Sequence, residues 1–153
     1  MKLTNNLAFD TLIEYYEKMH QRKYDKWQKA TLRYGYDKNL NINLYSDPNL
    51  AFEQMIEIYT GLTKGLDVAM YNKVEFNKRQ MQEIRHGLES RVDVTQYADP
   101  KYHQDQMTEL RIGLEQGLNI SKYANCELDW RKMHDIRCRL LEKKKLNKSQ
   151  KIN

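Results

Sequence analysis

The sequence has few of the residues that cross-link or stiffen small proteins: 153 residues include two cysteines, two prolines and six glycines. Two cysteines are too few for the disulfide framework of a small secreted domain, and no CxxC or other zinc-binding spacing surrounds Cys126 or Cys138. The low proline and glycine content excludes collagen-like and proline-rich chains. We therefore expect reduced thiols and a cytoplasmic protein that holds neither metal nor cofactor.

Long apolar runs are also missing. No stretch of about 18 apolar residues occurs, as a membrane-spanning helix would need. The N-terminal stretch MKLTNNLAFDTLIEYYEKM interrupts its apolar residues with Asp10, Glu14 and Glu17, which a secretion signal would not do. The sequence predicts a protein that is neither inserted in a membrane nor exported.

Positive charge is in excess, with a net charge of +5, but it is unevenly distributed. Residues 129–153 hold nine lysines and arginines against three acids. From Lys143 onward the only apolar residues are Leu146 and Ile152, so we predict that residues 143–153 form a basic disordered tail. Such a tail serves solubility or makes a weak contact with nucleic acid or an acidic partner.

A period of 26 residues organises the rest of the chain. Four columns of the period are Met55, Met81, Met107 and Met133; Tyr45, Tyr71, Tyr97 and Tyr123; Gly35, Gly61, Gly87 and Gly113; and Leu62, Leu88, Leu114 and Leu140. In one repeat, Asn77 and Gln80 form a capping box, and Met81, Ile84 and Leu88 share one helix face. Each repeat is therefore predicted to be a long helix, a one-turn helix and a turn.

The ends of the predicted helices carry recognisable signals. Gly65 and Gly117 stand where the long helix should stop, because glycine accepts the left-handed conformation that ends helices. Asp67, Asp93 and Asn119 then cap the one-turn helix. A glycine inside the long helix costs about 1 kcal/mol against alanine, so its recurrence predicts a close backbone approach by a neighbouring helix.

One repeat cannot bury its apolar face alone, so we predict an all-α protein, an α-solenoid of about five 26-residue repeats. Residues 1–38 are predicted to form N-terminal capping helices, the second of them in a degenerate first repeat, and residues 39–142 the repeat array. In the first helix, Leu12, Ile13, Tyr16 and Met19 are expected on one side. Arg139 replaces glycine in the last repeat and marks the C-terminal cap.

Recurring columns are the ones that stacking of the repeats requires, so residues in columns that differ between repeats are available to bind a partner. Three of them lie at i, i+4 and i+8 of the long helix and form one stripe beside its apolar face. The stripe consists of Phe52, Ile56, Thr60, Lys78, Gln82, His86, Gln104, Thr108, Ile112, Trp130, His134 and Cys138. We predict that it binds a partner protein, with Phe52, Ile56 and Trp130 as apolar anchors. The alternative is that Phe52 and Trp130 fill seams between repeats.

An arginine row is the second candidate feature. Arg85 and Arg111 each have a glutamate four residues later, and Arg33 and Arg137 extend the row. Solvated helix pairs explain this spacing. The alternative is that the row contacts an anionic partner through phosphate or carboxylate groups.

Patterns that indicate catalysis are lacking. The four histidines, His20, His86, His103 and His134, fall at unrelated repeat positions, and no GxSxG, HExxH or P-loop motif is present. His134 and Cys138 lie at i, i+4, but a full set of metal ligands is missing. We predict a non-catalytic interaction module, not an enzyme. The alternative is a nucleic-acid-binding helical repeat, which eleven tyrosines favour and the near-neutral central repeats disfavour.

The repeats QMIEIYTGLTKGLDVAMYNKVEF, QMQEIRHGLESRVDVTQYADPKY and QMTELRIGLEQGLNISKYANCEL resemble a short helical repeat of proteins from bacterial phages, plasmids and other mobile elements. The resemblance covers roughly residues 40–142 and implies no activity. It implies a context, because small proteins on such elements are often interaction modules and some, such as anti-CRISPR proteins, inhibit host defences. From it we expect an inhibitor that blocks a host nuclease complex by steric occlusion.

Overall fold

The protein is all-helical in the part of the chain that the computed structural model describes, residues 2–151, with side chains from Asn6 onward. Within that range there are six α-helices and no β-strand. The helices are α1 (Lys2–His20), α2 (Lys26–Asp37), α3 (Phe52–Thr63), α4 (Lys78–Glu89), α5 (Gln104–Glu115) and α6 (Trp130–Gln150). The predicted all-α class is confirmed. None of these helices is both long enough and apolar enough to cross a bilayer.

Four short 3-10 helices follow the long helices α2 to α5, at Ile42–Tyr45, Val68–Met70, Val94–Gln96 and Ile120–Lys122. The last three are capped as predicted. The side chains of Asp67, Asp93 and Asn119 each accept a hydrogen bond from the backbone N–H two residues later, at 3.1, 3.2 and 3.1 Å. Each such repeat thus contains a twelve-residue helix, a 3-10 turn and a loop.

The chain divides into two compact parts, an N-terminal part (Met1–Met81) and a C-terminal part (Gln82–Asn153), with the boundary inside α4. The recurring columns supply both cores. In the N-terminal part the buried side chains include Leu32, Tyr45, Met55, Ile58, Tyr71 and Phe76. In the C-terminal part they include Ile84, Tyr97, Met107, Leu110, Tyr123 and Met133.

Helix α1 turns a different face inward from the one predicted. Phe9, Ile13 and Tyr16, at i, i+4 and i+7, are buried, whereas Met19 is 53% exposed. Leu12 is half-buried. The prediction that placed Met19 with the core is therefore wrong, because the i, i+4, i+7 face that begins at Phe9 passes through Tyr16 and then Glu17.

Glu17 is buried at the inner face of α1 and is paired there. Its carboxylate lies 2.7 Å from Lys23 Nζ and 3.1 Å from Lys29 Nζ, and it accepts the N–H of Tyr24 at 3.1 Å. Burial opposes ionisation of this carboxyl, but the hydrogen bonds from Lys23, Tyr24 and Lys29 outweigh burial and lower its pKa to about 2. The ionised Glu17 thereby ties α1 to α2 and the connection before it.

The mid-helix glycines make room for a tyrosine side chain. A Cβ on these glycines would lie between 1.7 and 2.0 Å from a tyrosine hydroxyl oxygen, in the pairs Gly35–Tyr45, Gly61–Tyr71, Gly87–Tyr97 and Gly113–Tyr123. The prediction that the backbone of a neighbouring helix approaches these glycines is therefore wrong. The approaching group is the tyrosine ten residues later, at the end of the following 3-10 helix.

Three of the four tyrosine hydroxyls, those of Tyr71, Tyr97 and Tyr123, also bond to the helix that they approach. Tyr123 Oη donates to the carbonyl of Glu109 at 3.0 Å, and Tyr71 and Tyr97 make the equivalent bond. Burial raises the pKa of Tyr123 to about 12, although Arg137 opposes the rise. The hydroxyl is therefore a neutral donor that fixes the short helix against the long one.

A buried glutamine in the first turn of the long helix binds the backbone just before the next long helix, at carbonyls 20 and 22 residues later. Gln106 Nε2 donates to the carbonyls of Cys126 and Leu128 at 2.9 and 2.7 Å, and Gln106 Oε1 accepts the N–H of His103 at 2.7 Å. The same three bonds are made by Gln28 with Pro48, Leu50 and Asp25, and by Gln54 with Val74, Phe76 and Ala51. The sequence predicts only the capping half of this role, which Asn77 and Gln80 show.

Helix α6 continues through Gln150, so the prediction of a disordered tail from Lys143 is wrong as far as Gln150. Lysine, leucine and glutamine are good helix formers, and neither glycine nor proline interrupts this stretch. Lys144 Nζ also donates to the carbonyls of Gln116 and Gly117, at 2.7 and 2.9 Å. Ile152 and Asn153 lie outside the described residues.

The second residue after each of the helices α2 to α5 has a left-handed backbone, as predicted for Gly65 and Gly117. The φ angles are 56° at Asn39, 68° at Gly65, 60° at Arg91 and 65° at Gly117. Arginine has a Cβ that this conformation strains, so we expect Arg91→Gly to raise the free energy of unfolding by about 1 kcal/mol. Urea unfolding followed by circular dichroism measures the change, and Gly65→Ala is the matched control, expected to shift the midpoint the opposite way. A lower midpoint for Arg91→Gly would contradict this explanation.

Candidate protein-binding surface

The predicted stripe lies on α3, α4, α5 and α6, and each of its twelve residues is exposed or half-exposed. The contrast with neighbouring positions is sharp on α3. Ile56 is 41% exposed, whereas Met55 and Ile58 are fully buried. The varying columns of the stripe thus reach the surface, whereas the recurring methionine and tyrosine columns are buried, and the contact of the stripe with a partner remains a prediction.

In the N-terminal part, Phe52 and Ile56 of the stripe lie with Trp27 of α2 in a surface apolar cluster, which we call the Trp27 patch. The rings of Trp27 and Phe52 have centroids 6.1 Å apart at an interplanar angle of 31°. Trp27 is 56% exposed on α2, and Lys26 Nζ lies 5.0 Å from its ring. A large apolar area is therefore presented with its two rings already packed together.

Sequence reasoning missed Trp27, although a signal was present. Position 27 falls in a column that holds Glu53, Arg79, Asp105 and Arg131 in the later repeats. A tryptophan in a column of charged surface residues indicates an exposed aromatic side chain. The alignment of Trp27 with this column was difficult to recognise, because few residues of the degenerate first repeat match the later repeats.

The rest of the N-terminal stripe is polar. Thr60 is half-buried, and its hydroxyl donates to the carbonyl of Ile56 at 2.8 Å within α3. Lys78 is exposed at the start of α4. Beside the stripe, Lys38 Nζ lies 5.5 Å from the ring of Tyr59. Thr60, bonded to the backbone of Ile56, is thus the polar residue that borders the Trp27 patch on α3.

The C-terminal part presents a stripe of mixed character. Gln82, His86, Gln104, Thr108 and Ile112 are half-exposed on α4 and α5. Trp130 is half-exposed at the start of α6, where the guanidinium carbon of Arg131 lies 4.7 Å from its ring. This stripe therefore offers hydrogen-bonding groups and one large aromatic side chain.

His134 is held by its neighbours. Its Nδ1 lies 3.2 Å from Glu109 Oε1 and 3.2 Å from Arg137 Nη2, and its Nε2 lies 3.5 Å from Cys138 Sγ. Thiol, imidazole and carboxylate are the groups of a nucleophile with its base, but here the carboxylate of Glu109 is buried, and the imidazole and the thiol lie on the outer side of α6. Among the described side chains, no three His, Cys, Asp or Glu residues are placed to hold a metal ion.

Arg111 and Arg137 bind carboxylates of this chain in two directions. Arg111 lies 2.8 Å from both Glu83 and Glu115, which are 28 residues before it and four residues after it. Burial opposes the charge on Arg111, but hydrogen bonds to Glu83 and Glu115 outweigh burial and raise its pKa. Arg137 Nε lies 2.6 Å from Glu109 Oε2, in a pair whose two side chains are both buried. The sequence predicts the pair four residues apart but not the one 28 residues apart.

The other two arginines of the row, Arg85 and Arg33, also contact side chains within the fold. Arg85 is buried and pairs with Glu89. Arg33 Nε lies 2.9 Å from Asp37, and its guanidinium lies 5.0 Å from the ring of Phe9. The four guanidinium groups thus have partners inside the chain, and their geometry does not favour the predicted contact with an anionic partner.

Chemically, the surface offers apolar contact area at the Trp27 patch and hydrogen-bonding groups around Trp130. Neither arrangement identifies a substrate or a cofactor by its geometry. Comparison with known proteins identifies none either, since no family model, no curated protein and no solved structure matches the chain.

Proposed function

We propose that the chain is an α-solenoid of about five 26-residue repeats, capped by residues 1–38, which binds a partner protein in the cytoplasm without catalysis. One observation carries this proposal: the recurring methionine, tyrosine and glycine columns are buried, whereas the varying columns of the stripe are exposed or half-exposed. Side chains that packing does not constrain are free to match a partner. Because helices hold these side chains in place before binding, the contact requires little ordering of the chain.

The Trp27 patch is the strongest candidate for the centre of the contact. Tryptophan and other large side chains contribute most of the energy at protein interfaces, especially where polar residues surround them. Trp27 and Phe52 already restrict each other, so binding removes little rotamer freedom. The polar residues beside the patch then act as the rim that excludes water.

The resemblance of the repeats to those of mobile elements supports a host defence nuclease complex as the partner. Inhibition would be steric, as in anti-CRISPR proteins that cover a surface the complex needs. This mechanism requires a preformed surface and no reacting group.

A pull-down from host lysate tests the proposal with the double variant Trp27→Ala/Phe52→Ala. We expect this variant to keep its helical circular dichroism and to retain less than about a tenth of the partner that the wild type captures. Tyr34→Ala is the matched control, because Tyr34 is 65% exposed on α2 but belongs to neither the Trp27 patch nor the stripe. The control is expected to capture the partner as the wild type does.

Two outcomes would count against the proposal. If the double variant is folded and captures every partner of the wild type, the Trp27 patch is not the binding surface. If the wild type captures no protein but binds labelled DNA or RNA with an affinity that falls steeply with salt, a nucleic-acid-binding helical repeat replaces it.

A further inference from the structure

The extra length of α6 builds a groove in the C-terminal part. Helices α2 to α5 have 12 residues each, whereas α6 has 21, and its last turns line one cavity together with residues 117–122. The cavity has a volume of about 380 Å³ and five lysines in its wall, namely Lys122, Lys143, Lys144, Lys148 and Lys151. We call this cavity the lysine groove.

The lysine groove is positively charged without a matching acid. No aspartate or glutamate is among the described residues that line it, and none of its five lysines is paired with a carboxylate in the part of the chain from 6 to 151. Lys144 is fixed by two carbonyls of the turn after α5. Lys144 and Lys148 are four residues apart on one helix, where like charges repel. Apart from the two hydrogen bonds of Lys144, these charges do not stabilise the fold, whereas an anionic ligand would relieve their repulsion.

The base of the groove is apolar. Leu118 is buried and Leu140 half-buried beneath the lysines. The lining contains neither an aromatic residue nor an arginine, the side chains on which single-stranded nucleic acids stack. A volume of about 380 Å³ is at the small end of ligand sites and suits one apolar side chain with its charged neighbours. These features favour an acidic peptide over a nucleic acid.

We infer that the lysine groove binds an acidic peptide segment of the partner protein. One apolar side chain of that segment lies on Leu118 and Leu140, and the carboxylates beside it pair with Lys143, Lys148 and Lys151. The inference rests on the proposed function, since it names a feature of the partner, but it involves no residue of the Trp27 patch.

Fluorescence anisotropy on the full chain tests the inference with a labelled peptide of aspartates and glutamates around one central leucine. We expect binding that weakens with salt, and a Kd that rises at least about tenfold in Lys143→Glu/Lys148→Glu. The matched control is Lys132→Glu/Lys145→Glu, which reverses two exposed lysines of the same helix outside the groove and is expected to change Kd less than about twofold. Replacing the central leucine of the peptide with glycine is expected to weaken binding about fivefold or more.

Several outcomes would overturn the inference. The lysine groove is not a peptide site if the labelled peptide does not bind, if both double variants weaken it equally, or if its leucine is dispensable. Tighter binding of a single-stranded or duplex oligonucleotide of the same length at the same salt, lost in Lys143→Glu/Lys148→Glu, would assign the groove to nucleic acid instead. Since the titration contains no partner protein, its failure is distinct from a failed pull-down with the Trp27 patch variant.

Discussion

Gly113→Ala is expected to lower the free energy of unfolding by about 3 kcal/mol. Alanine normally stabilises the interior of a helix by about 1 kcal/mol relative to glycine, so the expected sign is reversed here. The reason is steric, because the new Cβ would lie 1.9 Å from Tyr123 Oη and 2.9 Å from Ile120 Cγ2. Tyr123 must then move away and lose its hydrogen bond to the carbonyl of Glu109.

A double-mutant cycle with Tyr123→Phe identifies the clashing atom. Tyr123→Phe alone is expected to cost about 1 kcal/mol, the value of one buried hydrogen bond. In the Gly113→Ala background it removes the closest atom and leaves Ile120 Cγ2 at 2.9 Å and the ring carbon Cζ at 3.2 Å, so the double variant should be more stable than Gly113→Ala alone but less stable than Tyr123→Phe. Urea unfolding of the four proteins gives the coupling energy.

Tyr45→Phe is the control for the cycle. Tyr45 Oη faces Gly35 but is buried without a hydrogen-bond partner among the described residues. Removing this hydroxyl should therefore leave stability unchanged or raise it slightly, within about 0.5 kcal/mol. If the effects of Gly113→Ala and Tyr123→Phe on the free energy of unfolding are strictly additive, the tyrosine hydroxyl is not the reason why glycine recurs at this position.

Arg137→Ala is expected to destabilise the protein by about 3 kcal/mol. The side chains of Arg137 and Glu109 are 9% and 8% exposed and their atoms lie 2.6 Å apart. Removing one partner of a buried ion pair leaves the other charge desolvated, which costs about 3 to 5 kcal/mol. His134, at 3.2 Å, remains beside Glu109 and offsets part of that cost if it is protonated.

An exposed arginine of the same helix provides the comparison for Arg137. Arg131 lies 3.6 Å from Asp129, and the two side chains are 72% and 51% exposed. Arg131→Ala should change stability by less than about 1 kcal/mol, because water screens such pairs. Thermal and urea unfolding of both variants measure the change in the free energy of unfolding. An equal loss in Arg137→Ala and Arg131→Ala would mean that the pair between Arg137 and Glu109 does not hold α6 to α5.

The regular parts of this fold were predictable because their signals are local. The 26-residue period places the buried methionines and tyrosines, and the capping residues Asn77 and Asp93 lie within three residues of the groups they bind. Backbone conformation at Gly65 and Gly117 follows from the absence of a side chain. Each of these features is decided by a few neighbouring residues.

Contacts between distant positions were not predictable by the same rules. Helix spacing pairs Arg111 with Glu115 but is silent on Glu83, which lies 28 residues earlier. The glycine–tyrosine contact depends on how the 3-10 helix folds back against the long helix. The sequence does carry one clue, because the last repeat loses both columns together, with Arg139 for glycine and Ser149 for tyrosine.

The candidate surface was predictable in part. The period gives the register of the stripe, so its location on α3 to α6 follows from sequence. Trp27 was missed because the first repeat is degenerate, and the lysine groove because residues after Lys143 were expected to lack structure. Helix propensity favoured order there, while low apolar content suggested disorder, and the longer helix α6 shows that propensity prevailed.

The hydrogen bonds and ion pairs that define the repeats span short stretches of sequence. Tyrosine reaches a carbonyl 14 residues back, glutamine reaches carbonyls 20 and 22 residues ahead, and Arg137 reaches a glutamate 28 residues back. Closing loops of this length costs little entropy, and chains dominated by local contacts fold fast for their size. Folding one repeat at a time should therefore be fast for a chain of 153 residues.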